Sequence, residues 1–261
     1  MKHIARHFLN QYTEDQWKEI EKKHSFEQFS RGEDSQKLNK KKITKQTVAF
    51  MKTVSDHYVK GFPHKVNGHT YTFPEPDPTL IYFSNAQQFR RNIDTYRNNL
   101  LPKLNMSNKA IQDFTHDYYH YFGAVCGTVI FLFTSLESFM NSLIKDTDNY
   151  VRRLPAKTEI FNFTQIQENI SFGEKIKDVI PQLTSKDYYK AHPKKAQAIS
   201  NLKEFRDQII HTKSTSAVVQ HDYVIKRSFT FQYDETIEII ADYMNFHKAD
   251  YIKECGCNAD F

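Results

Sequence analysis

The run Val125-Cys-Gly-Thr-Val-Ile-Phe-Leu-Phe-Thr-Ser-Leu-Glu-Ser-Phe-Met-Asn-Ser-Leu-Ile144 sets the reading of this chain. Val125, Val129, Leu132, Leu136, Phe139 and Leu143 recur at alternating steps of four and three. On a helix of 3.6 residues per turn they form one apolar stripe. Phe131, Phe133, Met140 and Ile144 widen that stripe, so a long central helix is expected, with apolar neighbours on more than one side.

Helical patterns continue on both sides. Downstream, Ser171-x-x-Glu174 has the form of a capping box and precedes Ile176, Val179, Ile180 and Leu183. Ile199, Leu202, Phe205 and Ile209 give an inward face to a helix over Ala196 to His211, and Ile237, Ile240, Met244 and Tyr251 to a last one near 234–253. Between these two, Tyr223, Ile225, Arg227, Phe229 and Phe231 alternate with Val224, Lys226, Ser228 and Thr230, which predicts an extended or hairpin insert. Upstream, Phe89, Ile93, Tyr96 and Leu100 predict a helix that begins near Ser84-x-x-Gln87. The stretch 63–83 carries four of the prolines and an Asn67-Gly68 pair between β-prone runs, a signal for a small hairpin or loop. Before it, Thr13-x-x-Gln16 opens one short helix, Lys40-Lys41-Lys42 sits in a polar loop, and a second helix is expected from Thr44 through Val48, Met51 and Tyr58.

The expected fold class is therefore all-α: a helical domain over 111–261 with an N-terminal helical region, 1–110, that carries a small β-hairpin insert. Composition agrees. Of 261 residues only 7 are Gly, while 21 are Phe and 15 are Tyr, which favours helices over a loop-rich β fold. The net charge of +5 allows a phosphate-bearing partner without requiring one. Three cysteines, Cys126, Cys255 and Cys257, are too few and too odd for a disulfide framework. The longest unbroken apolar run, Val129 to Phe133, is far short of the ~20 residues that span a bilayer, and no signal-like run opens the sequence. No membrane association and a cytoplasmic address are expected. A Gly-rich phosphate loop, a dinucleotide fingerprint and a Gly-x-Ser-x-Gly elbow are all absent from the sequence.

The segment Leu202-Lys-Glu-Phe-Arg206-Asp207-Gln-Ile-Ile-His211-Thr-Lys213-Ser214 carries the chemistry. Arginine, a polar residue, a short apolar spacer and histidine near a helix end resemble the active-site signature of HEPN domains. Ser135-Leu-Glu137-Ser-Phe-Met-Asn141 looks like that family's first long helix. Glu174-Lys175 opens the next helix, and an amphipathic helix closes the domain. The resemblance covers about residues 115–253. It implies a HEPN-like bundle, a homodimer, RNA as substrate, and a metal-independent endoribonuclease with no cofactor. It also suggests a toxin or antiviral defence effector held in check by an antitoxin or regulatory partner.

The residue chemistry fits that implication. Cleaving RNA without a metal requires its 2′-hydroxyl to attack the adjacent phosphorus. A histidine side chain can take and return protons near neutral pH, and His211 is the candidate for that role. Arg206 stays charged and presents a planar fork to phosphate oxygens. Asp207 could orient either of them. Glu137 and Asn141, four apart, lie on one face of the long helix and could support the cleft. Lys203, Lys213 and Ser214 are the candidate RNA contacts. Residues five apart on an ideal helix point about 140° apart, so Arg206 and His211 need a helix end or a second subunit to converge.

Two alternatives stand beside this. The same bundle could be a non-catalytic dimerisation module that binds RNA or a nucleotide. His116-Asp117-Tyr-Tyr-His120 places two imidazoles at i and i+4 and could serve a metal-dependent hydrolase, with Asp117 where zinc hydrolases carry a glutamate. Cys255-Gly-Cys257 with His221 or His247 is a weaker metal pattern.

Overall fold

The structure is a computed structural model that describes residues 4–5, 9–23, 27–30, 47–52, 57–105, 110–211 and 219–254. Lys40–Lys42, Lys213, Ser214, Cys255 and Cys257 lie outside the described residues. The chain divides into two compact units: His7–Pro78, and Met1–Arg6 together with Thr79–Phe261. The division thus falls at Pro78 rather than near residue 110.

The smaller unit corrects the expectation of an N-terminal helical region. Its described part holds one helix, α1 (Glu14–Lys23), and four of the strands. Strand β1 (Ile4–Ala5) belongs to the larger unit, so the sheet is built from β2 (Glu27–Ser30), β3 (Thr47–Lys52), β4 (Tyr58–Val66) and β5 (His69–Pro74), in that order. β2 and β3 are parallel, and the other pairs are antiparallel. The segment expected to be helical through Val48 and Met51 is β3. It is an inner strand with ladders on both edges, and this non-local pairing overrides a weak helical spacing. The Asn67-Gly68 hairpin is present as expected. Asn67 (φ 51°) and Gly68 (φ 83°) both take the left-handed backbone that a tight two-residue turn needs, and Val66 pairs with His69. The Thr13–Gln16 capping box closes in both directions, at 3.3 Å and 2.9 Å. It starts α1 so that Trp17, 3% exposed, stacks on Tyr58.

The larger unit is mainly helical. Helix α2 (Pro78–Leu104) precedes α3 (Gln112–Ser142), the helix the opening stripe predicts. A hairpin of β6 (Asn149–Arg153) and β7 (Thr158–Asn162) leads to α4 (Phe163–Asn169). Next, α5 (Phe172–Glu174) runs through a π-helical turn, Lys175–Val179, into α6 (Ile180–Thr184). Then follow α7 (Tyr188–Ala191), α8 (Pro193–Ile210), α9 (Val219–Thr230) and α10 (Tyr233–His247), and β8 (Lys253–Glu254) pairs with β1.

The core lies around α3. Val125, Val129, Leu132, Leu136 and Phe139 are buried on it, with Ile199, Leu202 and Phe205 of α8 and Ile237, Ile240 and Met244 of α10. Fully burying one such side chain is worth about 1.5–3 kcal/mol, so this intersection dominates the unit's stability. Helix α3 has the length and mean hydropathy, 1.6, of a membrane span, and half of its most apolar window is buried in the core. Arg90 of α2 fixes α10 through a two-pronged ion pair with Asp234, at 2.8 and 2.7 Å.

The insert expected between the last two helices is instead helix α9. No Gly, Pro or Asn interrupts 219–230 to turn a hairpin. The helical spacing of Val224 and Ser228 serves better than the alternation. Buried Ser228 accepts a hydrogen bond from Tyr121 Oη at 3.1 Å, and Phe229 stacks on Tyr121. Helix α10 also ends at His247, short of the expected 253. Tyr251 packs on Phe139 from beyond its end.

Candidate functional site

Helix α8 buries Ala196, Ile199, Leu202 and Phe205, and Arg206 follows the last of these at the rim of that face. Its guanidinium carbon stands 3.9 Å from the centre of the Phe133 ring, on α3. This is cation–π contact, and it sets the guanidinium over an apolar platform. Arg206 Nη1 lies 2.9 Å from Asp207 Oδ1, and Lys203 Nζ is 2.6 Å from Asp207 Oδ2. Asp207 therefore ties Lys203 and Arg206 together. On the α3 side, Arg206 Nη2 is 3.8 Å from Glu137 Oε1, within ion-pair range but too long for a hydrogen bond. The Arg206 side chain is 17% exposed, and its Nε is buried with no hydrogen-bond partner among the described residues.

Glu137 and Asn141 do share one face of α3. Lys175, in the π-helical turn, donates to Asn141 Oδ1 at 3.2 Å and to the Gln167 carbonyl at 2.8 Å. Burial lowers the Lys175 pKa, opposed by the charge of Glu137. Burial raises the Glu137 pKa, and the charges of Arg206 and Lys175 oppose the rise. Glu174, the other half of the Glu-Lys pair, faces elsewhere. Ser171 caps α5 by accepting from the Glu174 backbone N–H, but the Glu174 carboxylate is gripped by Arg152 through two 2.6 Å hydrogen bonds and by Tyr150 Oη.

The structure thus gathers Arg206, Asp207, Lys203, Glu137 and Asn141. Sequence reading gave Lys175 no site role and treated Phe133 only as core. The Glu-Lys pair marked the first, but its burial is a tertiary fact.

His211 stands apart. It is the first residue beyond α8, exposed, with φ −98° and ψ 57°, so the chain leaves the helix there. Its backbone N–H still donates to the Asp207 carbonyl at 2.9 Å. Among the described residues, no hydrogen bond or ion pair reaches its imidazole, and none joins it to Arg206.

The rival pair sits on the first turns of α3. His116 and His120 place their Nε2 atoms 3.0 Å apart, while the Asp117 carboxylate pairs with Lys103. Among the described residues, no group of three His, Cys, Asp or Glu side chains is arranged to hold a metal ion.

No protein-family model, curated protein or solved structure matches the chain.

Proposed function

We propose that the protein is a metal-independent endoribonuclease of HEPN type, acting on RNA as a homodimer. The arrangement of Arg206 carries this reading. Phe133 below and Asp207 beside it hold the guanidinium ready, and its contact with Glu137 is long enough for a phosphate oxygen to replace. In the reaction, the ribose 2′-oxygen attacks phosphorus and the 5′-oxygen leaves. The products are a 2′,3′-cyclic phosphate and a 5′-hydroxyl end. Arg206 would neutralise charge on the non-bridging oxygens, and His211 would take or return the proton. His211 follows the helix directly and is exposed, as a proton carrier at a cleft between two copies must be. A toxin or antiviral role in the cytoplasm, checked by an antitoxin or regulatory partner, goes with this reading.

A second reading is a non-catalytic RNA- or nucleotide-binding module. It draws on the two carboxylates already beside Arg206 and on the absence of a described contact from His211 to it. One assay separates the two. The nuclease cleaves RNA in EDTA and loses cleavage in both Arg206→Ala and His211→Ala. Retained cleavage in both variants would overturn the assignment. RNA bound but left intact by the unaltered protein would support the module.

A further inference from the structure

His116 and His120 belong to no part of the proposed nuclease site. Along α3 the interval from His120 to Glu137 is 17 residues, or about 25 Å at the helical rise. Both rings are exposed, and they meet edge to face with centroids 4.2 Å apart. Tyr96 of α2 packs on His120 at 5.1 Å and restricts its ring.

The two Nε2 atoms share a 3.0 Å hydrogen bond, whose proton a metal ion bound to both would displace, and their spacing is already close to that of two ligands. With metal–imidazole bonds of about 2.0–2.1 Å, two ligand nitrogens stand about 2.9 Å apart at neighbouring corners of a square plane and about 3.3 Å apart along a tetrahedral edge. The observed separation lies between these values, so a few tenths of an ångström of ring movement converts the contact into a chelate. The carboxylates nearby are engaged elsewhere. Asp117 pairs with Lys103, and Asp113 Oδ2 accepts from the Ala110 backbone N–H at 3.0 Å. The donor set is therefore two imidazole nitrogens, which suit borderline divalent cations rather than calcium or magnesium.

We propose that His116 and His120 form a surface chelate that binds one zinc ion, with water filling the remaining coordination positions. The proposal is independent of the nuclease reading, since no step at Arg206 passes through this metal.

The test is calorimetric titration of the full chain with zinc chloride, with long-range ¹H–¹⁵N imidazole spectra recorded alongside. The wild-type chain should take up one equivalent of zinc more than His116→Ala/His120→Ala, and both rings should show metal bound at Nε2. Each single substitution removes the chelate and should weaken that equivalent by about ten-fold or more. Circular dichroism of the variants should retain the wild-type helical signal, because both rings are exposed. Equal zinc uptake by wild type and double variant, or unmoved Nε2 signals, would overturn the chelate. RNA cleavage in EDTA is a separate readout and does not bear on it.

Discussion

Gly127 occupies the middle of α3, where a glycine costs about 1 kcal/mol of helix propensity relative to alanine. On propensity alone, Gly127→Ala should stabilise the protein. The packing opposes this. A Cβ built at Gly127 would lie 2.5, 2.6 and 2.7 Å from Cγ, Cδ1 and Cδ2 of Phe89, on α2. Carbon atoms in contact prefer about 3.5–4.0 Å, so the Phe89 ring would have to retreat by about 1 Å. It cannot do so freely. Phe89 stacks on Phe131 at 5.7 Å with planes only 11° apart, and Phe131 in turn stacks on Tyr82. Overpacking of this kind costs about 1–3 kcal/mol, and a disturbed aromatic pair adds about 0.5–1.5 kcal/mol. Set against the propensity gain of about 1 kcal/mol, the net expectation is a loss of about 2 kcal/mol. For a unit of this size that lowers the melting temperature by about 4–8 °C. Urea denaturation followed by far-ultraviolet circular dichroism measures the loss. Combining Gly127→Ala with Phe89→Ala removes the clashing Cγ, Cδ1 and Cδ2 atoms, so the pair should be more stable than the sum of the single effects allows. A Gly127→Ala protein as stable as wild type or more so would show that the α2–α3 approach is not held as tightly as these distances state.

Two further outcomes concern ionisation. Burial pushes the His247 pKa down to about 4, and both ring nitrogens are buried with no hydrogen-bond partner among the described residues. The unfolded chain therefore binds the proton first, and stability falls as pH drops from about 6.5 towards 4, by at most about 3 kcal/mol and less where solvent reaches the ring. His247→Phe should flatten that part of the stability–pH curve, and an unchanged slope would mean His247 is not its source. At the candidate site, Arg206→Met keeps bulk on Phe133 but deletes the charge that opposes the upward shift of Glu137. The Glu137 carboxyl should then titrate at still higher pH in a ¹³C-detected titration. A downward move would contradict the placement of the two side chains.

The elements legible in the sequence are those whose own residues dictate them. The stripe on α3, the inward face of α8 and the Asn67-Gly68 turn each rest on local periodicity or backbone sterics. The misreadings share another cause. β3 is a strand because β2 and β4 flank it, and no spacing inside 47–52 records those neighbours. Helix α9 alternates in sequence like a strand, yet Val224, Ser228 and Phe229 also fit one helical face, and contact with Tyr121 selects the helix. The β6–β7 hairpin passed unnoticed because its five-residue strands bury only Tyr150, which leaves no apolar alternation to read. The candidate site divides in the same way. Glu137 and Asn141 are four apart on one helix, and Lys203 and Asp207 four apart on another, so each pair could be read directly. That Arg206 lies over Phe133 required the packing of α8 on α3. Where His211 points depends on the backbone angles of a single residue past the helix end, which spacing cannot supply.

The larger unit is not one unbroken length of chain. Its strand β1, Ile4–Ala5, pairs with β8, Lys253–Glu254, while residues 7–78 between β1 and α2 form the other unit. A protein trimmed to begin at Thr79 would lose only Pro78 from the described helices of the bundle, yet strip β8 of its partner and uncover backbone donors and acceptors beside Tyr251 and Ile252.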